Sequence, residues 1–382
     1  MTKTKAKPAA HPAIAGTKSG PAKLPGQVVL VMQGGGALGA FQAGVYEALH
    51  EAGIEPDWVV GTSIGAIIAG NAPENRVARL KAFWDLVASG ASSAAPWNAF
   101  GRGNQMHNLG AVLQGITGFF TPNPYSWLGT DTRLVVTEAS YYSAAPLRRT
   151  LADLVDLARL GEGATRLTLG AVNVRSGRMR YFDSRDEAIG IDHVMASGAL
   201  PPAFPAVMID GEPYWDGGVY FNTPIEVVMD DDPRRDSVIF TTRLWQQEDH
   251  APQSIGRVMS RLKDVQYSSR AESHTARQQQ IHHLRHVVRE LGRRSPENVR
   301  AQPEVKELLG WGCGSVMHVL TLRAPALDGE DHSKDIDFTP AGIAARWKAG
   351  REFARREIAA APWNEAVDPI AGIVVHDRPA GR

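Results

Sequence analysis

Two apolar runs, each followed by a glycine-rich turn and an apolar helical repeat, constrain the fold of this 382-residue chain more than any other feature. Residues 27–32 lead into the triplet Gly34–Gly36, and residues 39–51 then place apolar side chains at helical spacing. Residues 58–60 form the second run, and Ser63 stands on the turn into a second helix. Two consecutive strand–turn–helix units predict an α/β fold with a mostly parallel sheet.

The second turn carries a nucleophile pattern. Gly61-Thr62-Ser63-Ile64-Gly65 matches GxSxG, in which small flanking residues let a sharp strand-to-helix turn expose the serine hydroxyl. The helix that follows favours negative charge at its N-terminus. An ordinary glycine-bounded turn is the alternative interpretation, and it does not account for the strand before the serine and the helix after it.

A serine nucleophile needs a base and preorganised donors for the oxyanion. The backbone N–H groups of Gly34, Gly35 and Gly36 follow the neighbouring predicted strand and are candidates for these donors. Asp216-Gly217-Gly218 places a carboxylate on a glycine turn, which is a candidate base. A DGG triplet alone is usually a simple turn, so its weight comes from the combination with the two other segments.

In this order, GGGALG (34–39), GTSIG (61–65) and DGG (216–218) resemble the three motif blocks of the patatin-like phospholipase family. The resemblance covers roughly residues 27–245 and includes the Pro-rich segment 197–205. Many members of the family carry Arg or Lys where this chain has Leu38, so the backbone donors would act here without that charge. The glycines that support the three motifs are Gly39, Gly61, Gly65, Gly217 and Gly218.

The resemblance implies a three-layer α/β/α domain that hydrolyses acyl esters of lipids without a metal or cofactor. Carried over by motif, Ser63 attacks the ester carbonyl, and Asp216 accepts the serine proton and later activates water. The amides of Gly34 to Gly36 hold the oxyanion. The expected partner is a lipid or another hydrophobic ester, including hydrophobic oligoesters.

Three rival hypotheses remain open at this stage. Gly34, Gly36 and Gly39 also satisfy the GxGxxG pattern of an NAD-binding Rossmann domain, but Asp57 precedes the second strand instead of ending it. A conventional Ser–Asp–His hydrolase would place several strands before its serine. A catalytically silent lipid-binding module would not require both Ser63 and Asp216.

We predict three regions. Residues 1–26 hold five lysines and no acid and form a disordered tail. Residues 27–245 form the patatin-like catalytic domain, within which the aromatic-rich segment 89–130 is either a lid or a surface insertion whose aromatics pack down. Residues 246–382 form a mainly helical extension, with a long helix over 254–291 and a last helix after Pro340, packed on the catalytic domain.

The composition of the chain limits which partners, locations and metal sites can be expected. Forty-one basic and forty-one acidic residues give no net charge, which argues against a nucleic-acid partner. The single cysteine, Cys313, excludes an internal disulfide framework and fits a cytoplasmic location, where any membrane contact would be peripheral. Because His274, His282, His283 and His286 lack an accompanying acid or cysteine, we interpret them as surface residues and expect no metal site. The sequence carries no indication of oligomeric state.

Overall fold

The computed structural model describes residues 24–61, 63–92, 113–327, 330 and 332–377. Within these residues one nine-stranded sheet forms the centre. The sheet contains β1 (Gln27–Val31), β2 (Trp58–Gly61), β5 (Arg166–Asn173), β6 (Met179–Asp183), β7 (Val207–Ile209), β8 (Glu212–Asp216), β9 (Ser237–Arg243), β10 (Met317–Arg323) and β11 (Ile373–Asp377). A separate two-stranded antiparallel sheet contains β3 (Thr121–Pro122) and β4 (Tyr142–Ser143). Six strands of the large sheet run parallel in the order β11-β10-β9-β1-β2-β5, and β6, β7 and β8 run antiparallel to their partners.

Helices cover both faces of this sheet. Along β1, Val28 and Leu30 face one apolar core, and Val29 and Val31 face the other, because successive side chains of a strand point to opposite faces. The predicted α/β fold, with its mostly parallel sheet between helical layers, is confirmed. The helices are α1 (Ala40–Glu51), α2 (Ser63–Ala69), α3 (Pro73–Ser92), α4 (Ala145–Leu154), α5 (Leu157–Gly161), α6 (Ile191–Ser197), α7 (Glu226–Met229), α8 (Ile255–Arg294), α9 (Glu297–Arg300), α10 (Pro303–Leu309) and α11 (Pro340–Ala360).

The C-terminal region completes the sheet as well as adding helices. Strand β10 pairs with β9 along its whole length, from Met317 opposite Ser237 to Arg323 opposite Arg243. All seven residues of β9 are buried, so β9 is an interior strand of this sheet. Strands β10 and β11 were not predicted from the sequence. Helix α11 of the same region packs on α1, where Trp347 Nε1 donates to a Glu47 carboxylate oxygen at 2.7 Å.

The predicted tail and insertion fall partly outside the described residues, which omit 1–23 and 93–112. In the described part of the insertion, the Phe119 and Phe120 rings pack 6.0 and 5.8 Å from Phe204. Tyr125 and Trp127 are instead exposed, at 45% and 76%. The segment therefore contains both aromatics that pack down and aromatics that face solvent.

The long helix α8 corrects the interpretation of its histidines. His282 and His286 are buried, at 0% and 4% exposure, and their Nε2 atoms lie 2.9 Å from the carbonyl oxygens of Met229 and Ser315. The prediction of surface histidines is wrong for these two, because α8 lies against the sheet and buries one of its faces. His274 stacks on Phe221 with 4.5 Å between ring centroids. In the described chain, no three His, Cys, Asp or Glu side chains cluster as a metal would require. Among the same residues, no helix combines the length and the apolarity needed to cross a bilayer.

Candidate active site

Strand β5 brings two of the three motif blocks together. Strand β6 pairs with both Leu169 and Ala171 and thereby occupies one edge of β5. Gly61, the last residue of β2, is paired with Leu169, and Asp216, the last residue of β8, is paired with Ala171. Because β6 occupies one edge of β5, the other edge is shared by β2 and β8. Their ends are two β5 residues apart, which corresponds to about 7 Å.

The glycine after Asp216 fills the space between the two strand ends. A Cβ atom at Gly217 would lie 2.6 Å from the carbonyl oxygen of Gly170, the β5 residue between the two paired positions. A side chain here would therefore collide with backbone. Ser63 is the first residue of α2, two residues beyond Gly61. The fold thus places the backbones of GTSIG and DGG next to each other.

Asp216 has the electrostatics of a base that works near neutral pH. Its backbone N–H donates to the Ala199 carbonyl at 3.0 Å, and its Oδ1 accepts from the Gly218 N–H at 2.7 Å. Burial raises the pKa of the Asp216 carboxyl to about 7, and the Gly218 hydrogen bond opposes this rise. A carboxylate with this pKa can both accept and return a proton at neutral pH.

The glycine loop after β1 is held by a residue that the sequence analysis missed. The Asn222 Oδ1 atom accepts from the Gly34 N–H at 3.1 Å, and Asn222 Nδ2 donates to the Gly34 carbonyl at 3.0 Å. The Gly34 carbonyl also accepts from Trp245 Nε1 at 2.9 Å. The Gly34 N–H is therefore already engaged. In the sequence, Asn222 is marked merely by following DGG closely, which is too weak a signal to single it out.

The C-terminal region packs against the same glycine loop. Gly36 has a φ of 55°, and a Cβ atom there would lie 2.4 Å from the carbonyl oxygen of Asp335. Asp335 pairs with Lys263 of α8 at 2.7 Å, and the adjacent Lys334 pairs with Asp264 at 2.7 Å. Both partners of the second pair are buried. The extension is therefore in direct contact with the loop that the sequence analysis assigned to oxyanion binding.

The remaining motif glycines lie at close packing contacts. A Cβ atom at Gly35 would lie 2.8 Å from Leu244, at Gly39 3.3 Å from Trp84, and at Gly65 3.1 Å from Val59. At Gly218 a Cβ atom would lie 2.8 Å from Asn222 Oδ1. Leu38 is buried at 4% exposure, so this position contributes to the core.

One hollow adjoins the Asp216 turn, and a second adjoins Ala199, to which the turn is hydrogen-bonded. The first, of about 70 Å³, is lined by residues 218–223 and by Gln266 and Tyr267 of α8. Burial, followed by the charges of Asp216 and Asp335, raises the pKa of Tyr267. The second hollow, of about 320 Å³, reaches Ala199 and is mostly apolar. Its apolar lining includes Leu147, Met195, Phe204, Val207 and Met208.

The carboxylate that the Rossmann hypothesis would need lies at the other end of the sheet. Asp57 Oδ2 accepts from the Val28 N–H at 2.8 Å, beside the start of β1 and not beside the glycine loop after its end. The structure therefore agrees with the prediction that Asp57 lies at the start of β2 and not at its end, where a ribose-binding carboxylate would be needed.

Residues 30–229 match the family model described as Patatin-like phospholipase, and residues 265–370 match a second model described as Patatin phospholipase. A comparison with curated protein sequences gave no significant match. Among solved structures, VipD from Legionella pneumophila is similar at 17% identity over 87% of this chain and 67% of VipD, with a TM-score of 0.38. The type III effector protein ExoU is similar at 12% identity over 89% of this chain and 54% of ExoU, with a TM-score of 0.29. Since the first model spans more than half of the chain and includes all three motif blocks, the chain belongs to the patatin-like phospholipase family.

Proposed function

We propose that the chain hydrolyses acyl esters of lipids, with Ser63 as nucleophile and Asp216 as base. Family membership implies a lipid acyl hydrolase. The observation that carries the assignment of residues is the arrangement of β2 and β8, whose ends approach each other on one edge of β5. The pKa of about 7 at Asp216 supports its role as the base.

In the first half of the reaction, the Ser63 hydroxyl transfers its proton to Asp216 as the oxygen attacks the ester carbonyl carbon. The amides of Gly35 and Gly36 donate to the oxyanion, because the Gly34 N–H is already bound to Asn222. Collapse of the tetrahedral intermediate breaks the bond to the alcohol. The alcohol leaves with the proton from Asp216, and the acyl group stays on Ser63.

In the second half, Asp216 accepts a proton from a water molecule that attacks the acyl-enzyme. The second tetrahedral intermediate uses the same amides. Its collapse releases the carboxylic acid, and Ser63 regains its proton from Asp216. Bonds and protons balance, and the net change is hydrolysis of one ester.

The apolar hollow beside Ala199 supports a substrate with an acyl chain. It is joined to the Asp216 turn by the hydrogen bond between the Asp216 N–H and the Ala199 carbonyl. Burying methylene groups against Leu147, Met195 and Phe204 would supply binding free energy in proportion to chain length. Arg148 and Asp192, which also line this hollow, form an ion pair with each other.

A panel of acyl esters tests this function. Purified full-length protein is incubated with a soluble butyrate ester, a monoacylglycerol and a diacyl phospholipid, and released fatty acid is quantified by mass spectrometry. We expect release from at least one long-chain ester by the wild type and none by Ser63→Ala. Equal release by the two proteins, or release from none of the esters, would contradict the proposal.

A further inference from the structure

The first three turns of α8 carry an apolar stripe that faces solvent. Helical spacing places its five members within one face about 120° wide, the pattern with which a helix normally packs on a core. Here the opposite face is the buried one, since Asp264 and Ser268 are 2% and 6% exposed. The stripe consists of Ile255, Val258, Met259, Leu262 and Val265, with exposures of 83%, 51%, 49%, 65% and 43%.

This stripe continues to the hollow that lies beside the DGG turn. Gln266 lies four residues after Leu262, on the same face of α8, and lines the hollow beside the Asp216 turn. Across that hollow, Val219 and Tyr220 are 44% and 53% exposed. The stripe and the DGG turn therefore border one opening.

The charges on this part of α8 have one sign at the surface. Residues 255–268 contain the bases Arg257, Arg261 and Lys263 and a single acid, Asp264, and the Lys263 charge is paired with Asp335, so Arg257 and Arg261 supply the positive charge beside the stripe. Asp264 is buried and paired with Lys334, so this stretch of helix exposes no carboxylate. An apolar face flanked by bases matches the interface of a lipid bilayer, where methylene groups lie beneath partly anionic headgroups.

We propose that the apolar stripe of α8, together with Val219 and Tyr220, docks the protein on the surface of a lipid bilayer. An ester drawn from that bilayer then reaches Asp216 without crossing bulk water. The choice of a lipid surface as partner rests on the proposed function, because a second copy of the chain seated on the same surface would cover the opening that the substrate needs.

The test compares two double variants of the full chain. Val258→Gln/Leu262→Gln removes the centre of the stripe, whereas Leu284→Gln/Leu291→Gln alters two equally exposed leucines (63% and 62%) on the same helix. Leu284 lies about 33 Å along the helix axis from Leu262. Binding is measured by flotation with phosphatidylcholine vesicles, with and without phosphatidylserine, and catalysis by hydrolysis of a soluble butyrate ester.

We expect the stripe variant to lose vesicle binding by about tenfold or more while its kcat/KM on the soluble ester stays unchanged. The control variant should match the wild type in both measurements. The proposal would be overturned if the stripe variant bound vesicles as well as the wild type, if the control variant lost as much vesicle binding as the stripe variant, or if the wild type bound no vesicles. So would a dimer that the stripe substitutions dissociate while vesicle binding persists. Vesicle binding by Ser63→Ala at the wild-type level would support docking even if no ester were hydrolysed, which separates failure of docking from failure of the proposed function.

Discussion

Gly61 and Asp216 approach each other from opposite directions along one edge of β5 and end two residues apart. Backbone pairing in a buried sheet fixes this relationship, so the turns that carry Ser63 and Asp216 share a rigid support. Such support matters because a displacement of about 1 Å between reacting groups can cost a hundredfold in rate. We therefore propose that the sheet preorganises Ser63 and Asp216 as a dyad.

Replacement of Gly217 tests this support. In Gly217→Ala the new methyl group would lie 2.6 Å from the Gly170 carbonyl oxygen, so the turn must move and take Asp216 with it. We expect kcat/KM for a soluble ester to fall by about a hundredfold. Gly161→Ala is the matched control, because no atom lies within 4 Å of its added methyl group. Wild-type activity in Gly217→Ala would contradict the proposed arrangement.

Loss of the Asn222 side chain should affect catalysis more than binding. Asn222→Ala removes both hydrogen bonds to Gly34 and so loosens the loop that carries the proposed oxyanion donors. We expect kcat to fall by about tenfold or more with little change in KM, as measured by steady-state kinetics on a soluble ester. Asn222→Asp retains the acceptor for the Gly34 N–H and should recover part of kcat, with its pH profile shifted upward by the added negative charge near Asp216. A raised KM with unchanged kcat would show that Asn222 acts on substrate binding instead.

The pH dependence follows from the raised pKa of Asp216. The base must be ionised to accept the serine proton, and burial holds its pKa at about 7. The kcat/KM for a neutral ester should therefore rise with pH through about 7, level off above it, and fall as Asp216 becomes protonated. A profile measured between pH 4 and pH 9 that stays flat down to the ordinary carboxyl range would show that Asp216 is not the base.

How much of this site the sequence could predict depends on how local each feature is. The apolar runs 27–32 and 58–60 predicted two strands, and the structure has strands at Gln27–Val31 and Trp58–Gly61. GTSIG and DGG were found because each motif is contiguous. That β2 and β8 share an edge of β5 depends on pairing between Gly61 and Leu169, 108 residues apart, and between Ala171 and Asp216, 45 residues apart, which no local pattern encodes. Strands β10 and β11 were missed for the same reason, and His282 was misassigned because its burial depends on how α8 packs against α7.

The buried ion pair of Asp264 and Lys334, near the glycine loop, is expected to stabilise the fold. Asp264→Asn would leave the Lys334 ammonium buried without its carboxylate, and removing one partner of such a pair typically costs about 3–5 kcal/mol. We expect the free energy of unfolding from urea titration to fall by about that amount. Glu352→Gln, which breaks the exposed pair with Lys348, should change it very little. Similar effects of the two substitutions on the free energy of unfolding would mean that the buried pair of Asp264 and Lys334 does not stabilise the fold.

Labelling of Ser63 by a fluorophosphonate at pH 8 tests the dyad most directly, because the reagent modifies a serine that has been activated as a nucleophile. Wild type, Ser63→Ala and Asp216→Asn are treated in parallel, and the labelled residue is located by peptide mass spectrometry. Circular dichroism verifies that each variant is folded. We expect rapid labelling at Ser63 in the wild type and loss of labelling in both variants. Rapid labelling of Ser63 in folded Asp216→Asn would contradict the assignment of Asp216 as its base.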